Sequence, residues 1–148
     1  MTEEFLSKVR RGLLFIAFLM LAFSLSYLIA YPLGYSPLGY EVIELKDDLV
    51  VLQSYNVLGM ENERITYQPQ EDEIWKLGLI NDLIDQQQSE YLLFFTTLML
   101  AIFLGGMGLL RSKSFKSVVF QGFLYVLIPG ISLVRHLNDI KDILQSSP

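Results

Sequence analysis

Two long runs without a charged residue dominate the pattern of apolar and polar positions along the chain. Residues 12–31 and residues 91–110 contain no Asp, Glu, Lys or Arg. A helix of about 20 residues is about 30 Å long, which matches the hydrocarbon core of a bilayer. The pattern therefore predicts a transmembrane helix over each of these two runs.

A third uncharged run covers residues 117–134, but Pro129 and Gly130 interrupt it. A helix kinked at the proline would reach about 27 Å and would cross the bilayer. A segment that turns back near Pro129 would instead be re-entrant, and the C-terminal end would stay on the side from which the segment entered. Residues 131–145 place apolar side chains on one face and polar ones on the other, which predicts an amphipathic C-terminal helix.

The polar section between the first two runs, residues 36–90, is predicted to form a small domain. Three stretches rich in β-branched and aromatic residues predict strands, and they cover residues 40–45, 49–55 and 64–68. Pro69 then interrupts the chain. The spacing of apolar residues over 71–88 predicts a helix that either continues into the second run or lies flat on the membrane.

Positive charge lies next to the apolar runs and indicates how the chain is oriented. Three bases lie in the polar head, residues 1–11, and three more lie within residues 111–116. Residues 36–90 hold twelve acids and three bases. Because Lys and Arg close to a span stay in the cytoplasm, the N-terminus is predicted to be cytoplasmic and residues 36–90 extracytoplasmic.

The fold class predicted from these patterns is an α-helical membrane protein with two or three transmembrane helices. A small α+β extracytoplasmic domain is inserted between the first two. The expected location is the plasma membrane, as a multi-pass protein. A cleaved signal peptide is the alternative for the first run, but an apolar stretch of about 7–15 residues is usual there. Residues 12–31 exceed that length, so an uncleaved anchor is the favoured interpretation.

Composition excludes several kinds of chemistry. The chain has no cysteine, which removes disulfides, thiol catalysis and zinc–thiolate sites and favours a bacterial protein over an extracellular eukaryotic one. Its net charge of −5 argues against binding nucleic acid. No charged residue lies within the three runs, so a transporter or channel that acts alone is not expected.

No catalytic set, metal site or cofactor site can be assembled from the sequence. His136 is the only histidine, and it is interpreted as a solvated residue on the amphipathic helix rather than a pH-sensitive group. The acids of residues 36–90 lack the spacing of a calcium loop and are interpreted as a solvated surface. The chain is therefore predicted not to be an enzyme, and no cofactor is expected.

Small residues at a spacing of four predict helix packing or partner contact within the membrane. One stripe is Ala22, Ser26 and Ala30 in the first run, and the other is Thr97, Ala101 and Gly105 in the second. The favoured interpretation is that the two spans pack on each other. The alternative is that one stripe docks a partner. In the 71–88 helix, Trp75 and Leu79 lie on an apolar face that needs cover.

These surfaces, without any recognisable chemistry, predict a non-enzymatic accessory or regulatory subunit of a larger bacterial membrane protein complex. The expected partners are another membrane protein and the lipid bilayer. A second hypothesis is a self-assembling structural or membrane-shaping protein, in which the same stripes form a homo-oligomer. A third is an extracytoplasmic sensor of a ligand or cation.

Overall fold

A computed structural model describes residues 2–145, which form three long helices with a three-stranded sheet between the first two. The elements are α1 (Glu3–Ala30), β1 (Tyr40–Leu45), β2 (Val50–Tyr55), β3 (Glu61–Tyr67), α2 (Trp75–Leu110) and α3 (Phe115–Gln145), with a single 3₁₀ turn at Glu71–Glu73 before α2. All three helices are long and apolar enough to cross a membrane. The predicted set of apolar helices with a small sheet after the first one is therefore confirmed.

Helix α1 includes the residues that the sequence pattern separates as a polar head. The side chain of Thr2 accepts a hydrogen bond from the backbone N–H of Phe5, and Glu3 and Glu4 lie in the first turn, where the helix dipole favours negative charge. Residues 3–11 are therefore helical and continuous with the first apolar run. The helix ends at Ala30, and Tyr31 and Pro32 lie in the turn that follows it.

Helix α2 joins the predicted outer helix and the second apolar run into one element. Its 36 residues give a length of about 54 Å. No proline or turn-forming pair separates residue 88 from residue 91, so the helical hydrogen bonds continue across the boundary. Of the two alternatives left open by the sequence, the structure shows the continuous helix.

Helix α3 passes through Pro129 without reversing direction. Its 31 residues combine the third apolar run with the predicted amphipathic helix. Pro129 removes one N–H donor from the helix interior, and the residue is buried in the fold. Residues 115–145 form one uninterrupted helix, so the chain does not turn back at Pro129.

Helix α2 lies between α1 and α3 and runs antiparallel to both. On one side, the rings of Phe18 and Phe103 have centroids 5.5 Å apart, and the Ser26 Oγ lies 3.7 Å from the Met99 Sδ. On the other side, the four residues 111–114 connect α2 to α3. The last part of α3 therefore returns to the end of the molecule that carries the sheet.

The sheet covers the N-terminal part of α2 and the C-terminal part of α3. Its order is β1-β2-β3, both pairs are antiparallel, and Val50 pairs with Leu45 on one side and with Tyr67 on the other. One core joins the sheet to both helices, and its buried members are Val50, Leu52, Tyr67, Leu77, Ile80, Ile84 and Ile140. Because Ile140 belongs to this core, the C-terminal part of α3 is a structural component of the sheet-bearing domain.

Candidate functional site

The small-residue stripe of α1 is buried within the protein. Ala22 and Ser26 are fully buried, and Ala30 packs with Tyr91 and Leu133 where the three helices meet. Small side chains let the backbones of two helices approach closely, which maximises van der Waals contact where lipid gives no hydrophobic driving force. The structure thus places Ala22, Ser26 and Ala30 in internal helix packing, mainly against α2.

The stripe of α2 faces α3 and not α1. A Cβ atom added to Gly105 would lie 2.9 Å from a methyl group of Val118, and the Ala101 Cβ lies 3.8 Å from the position of a Cβ added to Gly122. Thr97, one turn earlier on the same face, is half-buried and donates from its hydroxyl to backbone carbonyls of its own helix. The two stripes therefore do not meet each other, because the stripe of α1 packs against α2 and the stripe of α2 packs against α3.

Trp75 and Leu79 remain uncovered at the N-terminal end of α2. Trp75 is 63% exposed and Leu79 is 36% exposed, whereas Leu77 and Ile80 on the adjacent face are buried under the sheet. The ammonium of Lys76 lies 5.9 Å from the centroid of the Trp75 ring. A hydrogen bond from Lys76 to Glu73 raises the pKa of the lysine, and the ammonium lies 3.0 Å from the Glu73 carboxylate.

A polar groove, which the sequence analysis did not find, lies between α2 and α3 at the height of the three-helix contact. We call it the junction groove. Its volume is about 340 Å³. It is lined by Glu90 of α2 and by Ile128, Ile131, Ser132, Arg135, His136 and Asp139 of α3.

One hydrogen bond crosses the junction groove, and another fixes its wall. The Ser132 hydroxyl donates to the Glu90 carboxylate at 2.8 Å. His136 is buried, and its Nε2 lies within hydrogen-bond distance of the Leu83 carbonyl, which can only accept. The imidazole therefore donates from Nε2 and ties α3 to α2. The interpretation of His136 as a solvated residue is wrong, because the helix face that carries it packs against α2.

The helical spacing of residues 132, 135, 136 and 139 places their side chains on one face of α3 and is visible in the sequence. The sequence does not show that Glu90 lines the same groove, because its position there depends on the antiparallel register of α2 on α3. That register follows from tertiary contacts such as the close approach of Gly105 to Val118. A single-sequence pattern contains no information about this register.

Side chains also connect the sheet to the top of the helix bundle. The Gln87 amide donates to the carbonyl of Tyr40 and accepts from the N–H of Tyr40, both at 3.0 Å, so it pairs with β1 as a neighbouring strand would. The Tyr91 hydroxyl donates to the carbonyl of Pro37. These bonds satisfy buried polar atoms and fix the start of β1 directly above the three-helix contact.

Comparisons with known proteins add no relative. No protein-family model matches the chain, and no curated protein and no solved structure matches it either.

Proposed function

We propose that the protein is a non-enzymatic accessory subunit of a larger bacterial membrane protein complex, and that it contacts its partner outside the bilayer. In this proposal α1, α2 and α3 cross the plasma membrane, and the sheet-bearing domain is extracytoplasmic. The partner binds the surface around Ile74, Trp75 and Leu79. The small-residue stripes hold the subunit's own helices together and are not the docking surface.

The observation that supports this proposal most directly is the height of the exposed Trp75 above the apolar part of α2. Tyr91, the first residue of the apolar run, lies sixteen positions after Trp75, which corresponds to about 24 Å along the helix. The headgroup layer on each side of the hydrocarbon core is less than about 8 Å thick. Lipid therefore does not reach Trp75 when α2 stands upright, whereas the outer domain of a neighbouring membrane protein would.

The distribution of charge along the molecule supports the proposed orientation. The antiparallel arrangement brings Lys8, Arg10 and Arg11 of α1 to the same end as the exposed 111–116 segment, which carries three further bases. The acids of residues 36–90 lie with the sheet at the opposite end. By the positive-inside rule, the basic end faces the cytoplasm.

The proposal is tested by purifying the tagged protein from native membranes in mild detergent. We expect a stoichiometric membrane protein to copurify with the wild-type chain. The double substitution Trp75→Ala and Leu79→Ser is expected to lower its recovery about tenfold or more, since removing a buried aromatic anchor from an interface costs about 2 kcal/mol or more. Trp75 and Leu79 are exposed, so the fold of the subunit should not change.

Val57→Ser is the matched control, because Val57 is 70% exposed and lies in the β2–β3 turn, away from the start of α2. This variant should retain the partner. Recovery of a lone, well-folded monomer from native membranes would contradict the proposal. Chemical crosslinking of the purified protein in liposomes distinguishes self-assembly, because oligomers formed by the chain alone would favour the structural, homo-oligomeric hypothesis.

A further inference from the structure

The junction groove combines charges of both signs with an apolar wall. Glu90 is half-buried, Arg135 and Asp139 are exposed, and Ile128 and Ile131 are 76% and 50% exposed. Within residues 2–145, none of the ion pairs of the structure involves Glu90, Arg135 or Asp139. Two carboxylates and one guanidinium therefore surround the same groove without pairing with one another.

The groove lies at the height where the apolar parts of α2 and α3 end. Glu90 directly precedes the apolar run of α2, and Ser132 is next to Leu133, which packs with Ala30 and Tyr91 at the three-helix contact. Ile128 lies one helical turn before Ser132, toward the apolar half of α3. When the helices cross a bilayer as proposed above, the charged groups are level with the lipid headgroups and the two isoleucines are level with the acyl chains.

From these observations we propose that the junction groove binds a zwitterionic phospholipid whose headgroup carries a primary ammonium. The guanidinium of Arg135 binds the phosphate, and Glu90 and Asp139 accept hydrogen bonds from the ammonium. Ile128 and Ile131 contact the upper acyl chains. The inference rests on the bilayer placement proposed above and adds a lipid-binding site to the subunit.

The lining of the groove argues against the other common headgroups. A quaternary ammonium has no N–H to donate and is usually bound over the rings of Trp, Tyr or Phe, and none of these three residue types lines the groove. An anionic glycerol headgroup would bring a net negative charge to two carboxylates and one base. A primary ammonium next to a phosphate matches both the sign and the hydrogen-bonding capacity of the residues present.

The proposal is tested by native mass spectrometry of the detergent-purified, delipidated protein titrated with dioleoyl lipids that differ only in the headgroup. We expect the phosphoethanolamine lipid to bind about tenfold more tightly than the phosphocholine or phosphoglycerol lipid, the effect of hydrogen bonds to charged groups. Glu90→Gln keeps an acceptor for the Ser132 hydroxyl while removing the charge. It should reduce the preference for the phosphoethanolamine lipid over the phosphocholine lipid to about twofold or less. Arg135→Gln should weaken the binding of both zwitterionic lipids.

Three controls make each outcome decisive. Asp139→Asn, at an exposed position, repeats the test should Glu90→Gln fail to fold. Asp142→Asn, on the same helix but outside the groove, should not change lipid binding.

Soluble glycerophosphoethanolamine should not compete with the phosphoethanolamine lipid at the same concentration, and equal competition would show that the groove takes a free polar ligand instead. A wild-type protein without headgroup preference, or one that prefers phosphoglycerol, overturns the proposal even when the chain inserts into the bilayer. Failure to insert into liposomes would overturn the bilayer placement as well.

Discussion

Ser112 has the left-handed backbone that closes the connection between α2 and α3. Its φ is +66°, a conformation that side chains with a Cβ rarely adopt. The N–H of Lys113 donates to the carbonyl of Gly108, and the N–H of Ser112 donates to that of Leu109. These two bonds form the Schellman motif, whose left-handed position is usually a glycine.

The first prediction follows from this backbone. Ser112→Gly should raise the free energy of unfolding by about 0.5–1 kcal/mol, because glycine adopts positive φ without steric strain. Thermal unfolding in detergent, followed by circular dichroism, measures the change. Ser117→Gly, in the first turn of α3 with ordinary helical backbone, should be destabilising by about the same amount. A lower melting temperature for Ser112→Gly would contradict the assignment of this turn.

The pKa of Tyr55, at the end of β2, is raised by its surroundings in the folded sheet. Burial, together with a hydrogen bond from its hydroxyl to Glu41 and the negative charges of Glu41 and Glu61, raises the pKa of Tyr55 to about 12. The folded state therefore favours the neutral phenol. This stabilisation is complete below the ordinary tyrosine pKa of about 10 and is lost as pH rises toward 12.

The second prediction is that the Tyr55 ring carbon resonance titrates at a pH above that of an exposed tyrosine. NMR of protein labelled at the tyrosine Cζ measures this directly, and Tyr55→Phe assigns the signal. Glu41→Gln should lower the pKa of Tyr55, since it removes the neighbouring charge while leaving burial unchanged. An unchanged titration in Glu41→Gln would show that Glu41 does not act on Tyr55.

At the scale of elements, the contact between α1 and α2 depends on small side chains. Ala22 is fully buried, while Ala17, earlier in the same helix, is exposed. A larger side chain at position 22 would push the two helices apart. The same side chain at position 17 would contact only the surroundings of the bundle.

The third prediction compares these two positions. Ala22→Leu should destabilise the packing of α1 on α2 by about 1–3 kcal/mol, as is typical of overpacked interfaces, whereas Ala17→Leu should be neutral. Because the chain has no cysteine, a pair introduced by Ser26→Cys and Met99→Cys reports the contact through disulfide formation in both backgrounds. Efficient crosslinking in the Ala22→Leu background would contradict the close approach of the helices at Ala22.

At the scale of the whole molecule, the sheet and the C-terminal part of α3 lie at one end, and the connection between α2 and α3 lies at the other. The buried Ile140 joins α3 to Val50 and Leu52 of the sheet. Once α2 and α3 cross the membrane, the C-terminal end must therefore lie on the same side as the sheet.

The fourth prediction uses single cysteines and a membrane-impermeant thiol reagent. The reagent should label Asp47→Cys in the sheet region and Gln145→Cys at the end of α3 in intact cells. It should label Ser114→Cys only after permeabilisation. All three positions are exposed in the structure. Labelling of Gln145→Cys only after permeabilisation would be incompatible with three crossings.

The hydrophobic pattern alone determines the two strongest apolar helices, because a run of 20 residues without charge has few alternatives to a membrane span. Local chemistry also places β1 at Tyr40–Leu45 and ends α1 before Pro32. In contrast, the start of β3 at Glu61 lies three residues before the predicted strand. The additional polar residues pair with β2, and strand propensity does not reveal cross-strand pairing.

Three features depend on tertiary structure alone: the course of α3 past Pro129, the burial of His136 and the junction groove. In each case two segments far apart in sequence must come together in a specific register. Length and periodicity support a kinked span and a re-entrant segment at Pro129 almost equally well. Burial of Ile140 in the core of the sheet-bearing domain, and of His136 against α2, favours the uninterrupted helix. Periodicity assigns a residue to a face of its own helix, whereas the partner of that face is determined by packing between elements.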